Sequence, residues 1–129
     1  MSDVALKFWT THPSVFLVAK SNLNGKVLGC ISYKLLNSST VEMHRLSVDL
    51  HHRGKGIGRK LVQCLIDTAK KNGYEMMYLE TTNARFSAVK LYEKMDFQYL
   101  RCVSFEDPIQ KFTRLAIGGL KVVAFIYKL

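Results

Sequence analysis

The segment Arg53-Gly54-Lys55-Gly56-Ile57-Gly58-Arg59 interleaves three cations with three glycines. It lies between a stretch that reads as a strand, Val41 to Leu50, and a helical pattern that begins at Ile57. Backbone N–H groups at a helix start have no internal partners, and the helix dipole adds positive potential there. Glycine lets the backbone approach an anion closely and take positive φ. The chemistry this predicts is the binding of a phosphate or pyrophosphate. Two familiar phosphate motifs do not fit. A P-loop needs Ser or Thr after Gly-Lys, and here Gly56 follows Lys55. A dinucleotide fingerprint needs G-x-G-x-x-G, and here the spacing is G-x-G-x-G.

The whole chain agrees with an anionic partner. Its 129 residues carry 19 Lys and Arg against 10 Asp and Glu, a net charge of +9. Nucleic acid is not expected as that partner, because neither aromatic-basic interleaving nor a helix-turn-helix pattern occurs. The content of 48% hydrophobic and 22% charged residues is that of a globular chain of one domain, residues 1–129. Cys30, Cys64 and Cys102 are odd in number and far apart, each in an apolar stretch, so buried reduced thiols are expected. His12, His44, His51 and His52 lack the spacing of a zinc motif, and no metal is expected.

The elements that must position the glycine segment follow from turn signals and periodicity. Ser14–Lys20 and Lys26–Leu36 read as a hairpin around Asn22-Leu23-Asn24-Gly25. Val41–Leu50 is a third strand. Strict alternation puts Val41, Met43, Arg45 and Ser47 on one face and Glu42, His44, Leu46 and Val48 on the other. Ile57, Leu61, Val62, Leu65, Ile66 and Ala69 form the apolar stripe of a helix that stops at Asn72-Gly73. Glu75–Thr82 reads as a strand, Ala84–Met95 as a helix and Phe97–Phe105 as a strand. Pro108 interrupts the pattern, and Leu115–Leu129 ends in the apolar strand Leu120–Tyr127. Before Pro13, Phe8 and Trp9 suggest one short helix with Asp3 as its N-cap. This order predicts an α/β (α+β) domain with a mixed sheet: antiparallel hairpins first, then a parallel pair around the first long helix.

Leu46-Ser47-Val48, four residues, then Arg53-Gly54-Lys55-Gly56-Ile57-Gly58 with Leu61 resembles the acetyl-coenzyme A signature of the GCN5-related N-acetyltransferase (GNAT) superfamily. Its pattern, R/Q-x-x-G-x-G/A, is met by Arg53, Gly56 and Gly58. Ala88, Leu91-Tyr92 and Met95-Asp96-Phe97 resemble a second superfamily segment, with Asp96 where glycine is usual. Within the superfamily the chain is most similar to the camello-like group, which includes cysteine-conjugate and aspartate N-acetyltransferases. That closer likeness lies in Arg45–Lys60, Leu79–Tyr92 and Val122–Leu129.

The resemblance implies an acetyl-CoA-dependent N-acetyltransferase of GNAT fold, with no covalent enzyme intermediate and no metal. The strand before the glycine loop would be bulged and splayed from the next parallel strand, and the pantetheine arm would pair with Leu46, Ser47 and Val48. The N–H near Val48 would bond the thioester carbonyl. Amides from Gly54 through Lys55, Gly56, Ile57 and Gly58 to Arg59 would hold the pyrophosphate. Glu42 is the implied base for the amine, with His44 the alternative on the same face. Tyr92 is the implied acid for the leaving thiolate. The superfamily often places Asn where Arg85 stands, and Asn83 could substitute. Arg45 would face an acidic group of the substrate or form a structural salt bridge with Glu42.

The acceptor implied is the amine of a small molecule, such as an amino acid or cysteine conjugate, or of a protein lysine. Superfamily members usually carry one or two helices before the first long hairpin, and these line the amine site. A chain short there would bind coenzyme A with little or no catalysis, the alternative function. The longest apolar run, Val122–Tyr127, has six residues. A membrane-spanning helix needs about 18 or more, and the N-terminus has no signal-peptide pattern, so a soluble, cytoplasmic chain is expected. The resemblance implies endoplasmic reticulum membrane association only for a longer form. The apolar last strand could pair across a homodimer.

Overall fold

The computed structural model describes residues 4–11, 13–103 and 121–129. Strands β1 (Val4–Thr11), β2 (Ser14–Ser21), β3 (Val27–Leu35) and β4 (Thr40–Val48) come first, followed by a 3-10 turn (Leu50–His52) and helix α1 (Ile57–Lys71). Strand β5 (Met76–Thr82), helix α2 (Phe86–Lys94), β6 (Gln98–Val103) and β7 (Val122–Lys128) complete the order. Among the described residues, the strands follow the order β1-β2-β3-β4-β5-β7-β6 in a mixed sheet with β4 and β5 parallel, the fold class read from the sequence. Tertiary contacts divide the chain into two compact units, Met1–Met77 with Lys128–Leu129, and Tyr78–Tyr127.

In the first unit, β1 to β4 form an antiparallel meander. Helix α1 packs across β2, β3 and β4. The six apolar residues that the period of 3.6 selects are all buried. They meet a sheet face that includes Leu17, Ile31, Val41 and Met43, each buried. Tyr33 lies on the same core, and its hydroxyl accepts a 2.9 Å hydrogen bond from Asn72 Nδ2 just beyond the helix.

The short helix expected around Phe8 and Trp9 is instead strand β1, paired with β2 from Val4↔Ser21 to Thr11↔Ser14. An isolated helix of two turns is marginal in water. Pairing with β2 satisfies the backbone of the same residues, and β-branched and aromatic side chains suit a strand. Asp3, the expected cap, lies outside the described residues.

In the second unit, β6 and β7 pair antiparallel from Gln98↔Ile126 to Val103↔Val122. Helix α2 closes with a left-handed Asp96 (φ 70°). The Phe97 amide donates to the Tyr92 carbonyl at 3.0 Å and the Asp96 amide to Glu93 at 3.1 Å. These two bonds and the Tyr92–Phe97 ring contact at 5.5 Å make a Schellman closure with aspartate in place of glycine. The break expected at Pro108 and the stretch Leu115–Leu120 lie outside the described residues.

Candidate functional site

Strand β4 does not alternate strictly. Ser32 pairs with His44, yet Cys30 pairs with Ser47, so Arg45 and Leu46 together oppose Ile31. This is a β-bulge, and Arg45 in it takes φ 61°. One extra residue reverses which way every later side chain points. Tyr33 pairs with Met43 and Gly29 with Val48, and positions four apart on β3 share a face. That face is the helix side, because a Cβ built on Gly29 would lie 3.1 Å from Leu61 Cδ1 and 3.5 Å from Ile57 Cγ2. Val41, Met43, Leu46 and Val48 therefore share the helix face. Glu42, His44 and Ser47 lie on the opposite one. The strict alternation, which grouped Glu42 with Leu46, is corrected by the bulge.

The same register orients the polar groups of Val48. The Asp49 amide donates to the Leu28 carbonyl at 2.7 Å, so antiparallel alternation turns the N–H and C=O of Val48 away from β3. The Val48 carbonyl accepts a 3.2 Å hydrogen bond from Arg53 Nε. Asp49 then starts the 3-10 turn. Its carbonyl accepts from the His52 amide at 2.9 Å, and its Oδ2 lies 2.7 Å from His52 Nδ1. Nothing in the sequence reading singled out this pair. Its spacing of three across a single turn was the available signal.

Gly54 and Gly56 follow with φ of 78° and 82°. Both values fall where a side chain would strain the backbone. Gly56 caps α1 without a side-chain hydrogen bond, and no acidic residue lies in the first turn. The first helical bond runs from Lys60 N–H to the Gly56 carbonyl. Among the described residues, the amides from Gly54 to Arg59 donate to nothing. Six successive donors are thus left open beside Arg53, Lys55 and Arg59, as an anion site requires.

Glu42 and His44, the two expected alternatives, are brought together: His44 Nε2 lies 2.9 Å from Glu42 Oε1. Their side chains are 14% and 35% exposed, Glu42 the more enclosed. Glu42 thus pairs with His44, and among the described residues the alternative of a Glu42–Arg45 salt bridge is not formed. Beside the pair lies a groove of about 260 Å³ lined by Ser14, Phe16, Ser32, Lys34, His44 and Arg45 among others.

Tyr92 and Asn83 belong to the second unit. Tyr92 is buried on α2 against Phe97 and Phe125. Burial pushes its phenol above the usual range, and the charge of Arg85 opposes this only in part. Asn83 Oδ1 accepts from the Lys121 amide at 2.9 Å, and the Asn83 amide returns a bond to the Lys121 carbonyl. The thiols depart from expectation. Cys102 is exposed on β6, at the end of the strand order, and Cys30 and Cys64 are only half-buried.

Residues 1–97 match the family model described as Acetyltransferase (GNAT) family. The chain belongs to this family. The matched span holds the β4 bulge, the glycine loop and Tyr92. Curated relatives place it nearer the camello-like members of that family. It is 37% identical over 99 residues to N-acetylaspartate synthetase from Danio rerio, which covers 76% of this chain and 34% of that protein. It is 33% identical over 103 residues to N-acetyltransferase family 8 member 3 from Rattus norvegicus, covering 76% of this chain and 44% of the relative. The chain thus spans less than half the length of these relatives. Its fold is that of a GNAT family acetyltransferase from Elizabethkingia anophelis with acetyl-CoA bound (TM-score 0.77, 17% identity, 100% of both chains covered). Among the described residues, no helix of this family member is long and apolar enough to cross a membrane.

Proposed function

We propose that the chain is an acetyltransferase domain that binds acetyl-CoA and transfers its acetyl group directly to a primary amine. The run of open amides from Gly54 to Arg59 carries this reading. Six N–H donors without an acceptor among the described residues, glycines at the two left-handed positions and three flanking cations fit a diphosphate group. Leu46, Ser47 and Val48 would take the pantetheine arm, since the bulge and the register turn Val48's peptide groups away from β3. When bound, acetyl-CoA supplies the thioester. Glu42 takes the proton of the incoming ammonium, its carboxylate aimed by His44. Tyr92, kept protonated by burial, serves as the acid for the leaving group. Asn83, whose Oδ1 accepts from the Lys121 amide, is assigned to the cofactor side.

The acceptor reading follows the groove beside Glu42 and His44. Lys34 and Arg45 line it without an ion pair among the described residues, so an amine that also bears a carboxylate fits better than a protein lysine. One observation favours a second reading, a coenzyme A-binding module with little catalysis. Thr11 of β1 pairs with Ser14 of β2, so no helix stands between these two strands to wall the acceptor site.

Isothermal titration of the full chain with acetyl-CoA tests the first step. A dissociation constant below about 100 μM is expected, weakened roughly tenfold in Arg53→Ala with Arg59→Ala, in line with lost charge-assisted bonds. Absence of binding at millimolar cofactor would refute both readings. Acetylation of L-aspartate, a cysteine conjugate or a lysine peptide, read by mass, then separates the enzyme from the module.

A further inference from the structure

We propose that Asp49 and His52 form a protonation-dependent latch on the glycine loop, so that the loop grips the coenzyme's phosphates more tightly when His52 is charged. The inference rests on the phosphate reading above and adds a regulating pair to it. Asp49 is fixed just beyond β4 by the hydrogen bond that its amide donates to the Leu28 carbonyl. Its carboxylate holds His52 Nδ1 at 2.7 Å, and its carbonyl holds the His52 amide. One residue therefore clamps both the ring and the backbone of the residue that precedes Arg53. The ring is one-third exposed, so it exchanges protons with solvent.

With Nδ1–H given to Asp49, the second nitrogen, Nε2, is where a further proton adds. Protonation there puts a full positive charge on the loop two residues before the first open amide, with Asp49 as counter-ion at Nδ1. The hydrogen bond from His52 holds the Asp49 carboxyl below its ordinary range, and Lys26 adds to that. Asp49 thus stays ionised across the whole range in which a histidine titrates. The other charges near the pair are Lys26 from the β2–β3 turn and His51, Arg53 and Lys55 from the loop itself. His51 is exposed and is controlled by its own variant.

Linkage fixes the sign. If bound phosphate favours the charged ring, coenzyme binding raises the pKa of His52. Affinity is then greatest below the free-state pKa and is lost as pH rises through the bound-state value. Coenzyme A is titrated calorimetrically into the full chain and into His52→Gln, Asp49→Asn and His51→Gln at pH 5.8 and 8.2. The ratio of variant to wild type at each pH cancels the ligand's own titration.

We expect His52→Gln to bind about fivefold more weakly than wild type at pH 5.8 and within about twofold at pH 8.2. Asp49→Asn should flatten the pH dependence in the same way, and His51→Gln should leave it intact. A His52→Gln ratio equal at the two pH values, whether one or larger, overturns the latch. So does a pH dependence that follows His51. Wild type that binds no coenzyme A at either pH removes the phosphate reading itself, a separate result. Imidazole titration of wild type by NMR gives a check that needs no variant: the His52 pKa must rise on adding coenzyme A, and an unchanged value overturns the proposal.

Discussion

Gly29 sits where β3 meets β4 and the start of helix α1, and Gly29→Ala tests how tightly that contact is built. A Cβ at this position would lie 2.7 Å from the Ser47 carbonyl oxygen, 3.1 Å from Leu61 Cδ1 and 3.5 Å from Ile57 Cγ2. The first of these is backbone and cannot rotate aside, so β4 must move by several tenths of an ångström. Overpacking of this kind costs about 1–3 kcal/mol, and the stiffer unfolded chain of alanine returns roughly 0.4–1. A net loss of about 1–2 kcal/mol remains, or a Tm lower by roughly 4–8 °C for a chain of this size. Because Ser47 and Ile57 flank the glycine loop, coenzyme A affinity should fall too, by about threefold as hydrogen bonds to the open amides lose alignment. Gly25→Ala is the control. Gly25 has φ 71° but nothing within 4 Å of its Cβ position, so it should lose about 1 kcal/mol from backbone strain and no affinity. Thermal and urea unfolding with calorimetric titration read both quantities. A Gly29→Ala chain with wild-type Tm and affinity would refute the contact, and with it the placement of α1 on β3 and β4.

Four further outcomes follow from the geometry. Asp96→Gly should raise stability by about 0.5–1 kcal/mol in urea unfolding, since glycine accepts the left-handed closure of α2 without a Cβ penalty; a loss would show that the aspartate side chain contributes there. Tyr92→Phe should lower turnover more than tenfold while leaving coenzyme A affinity within about twofold. The pH–rate profile of wild type should show no alkaline limb from Tyr92 below pH 10, because burial raises that phenol. Asp49 has a depressed folded pKa, so its contribution to stability is present above the unfolded value near pH 4 and is lost as pH falls through the folded one. The stability gap between wild type and Asp49→Asn should therefore close on acidification, and a gap that persists at pH 2 counts against the His52 bond.

The helix α1 was legible because six apolar positions at one period and an Asn-Gly stop leave few alternatives. The glycine loop was legible because residue type alone implies left-handed backbone and exposed amides. Strand β1 was not, since Val4–Thr11 has neither a helical stripe nor a clean alternation, and its partner β2 supplies the deciding hydrogen bonds. The pairing of Glu42 with His44 follows from two residues on one strand face, which fixes neighbours but not which side chain turns toward which. The family resemblance implied a bulge in β4, but strict alternation could not place it at Arg45, for a different reason. Positive φ normally announces itself through glycine or asparagine, and arginine carries no such mark.

Yet the apolar residues of β4 do carry a trace of it. Val41 and Met43 are odd-numbered, Leu46 and Val48 even-numbered, and a regular strand cannot bury both pairs on one face. The extra residue reconciles them, which yields a sharp test: deletion of Arg45. Without it, Val41, Met43, Leu46 and Val48 fall into simple alternation, and the pairing Gly29↔Val48 that anchors the loop is kept. Relief of the left-handed arginine offsets part of the repair, so stability should change by less than about 1–2 kcal/mol. The glycine loop should survive, and 3′-phospho-ADP, which is coenzyme A without its pantetheine arm, should bind as it does to wild type. Coenzyme A itself should drop to the affinity of that fragment, because the bulged strand edge that takes the arm is gone. An unfolded deletion variant would refute the parity argument. Unchanged coenzyme A affinity would refute the role given to Leu46, Ser47 and Val48.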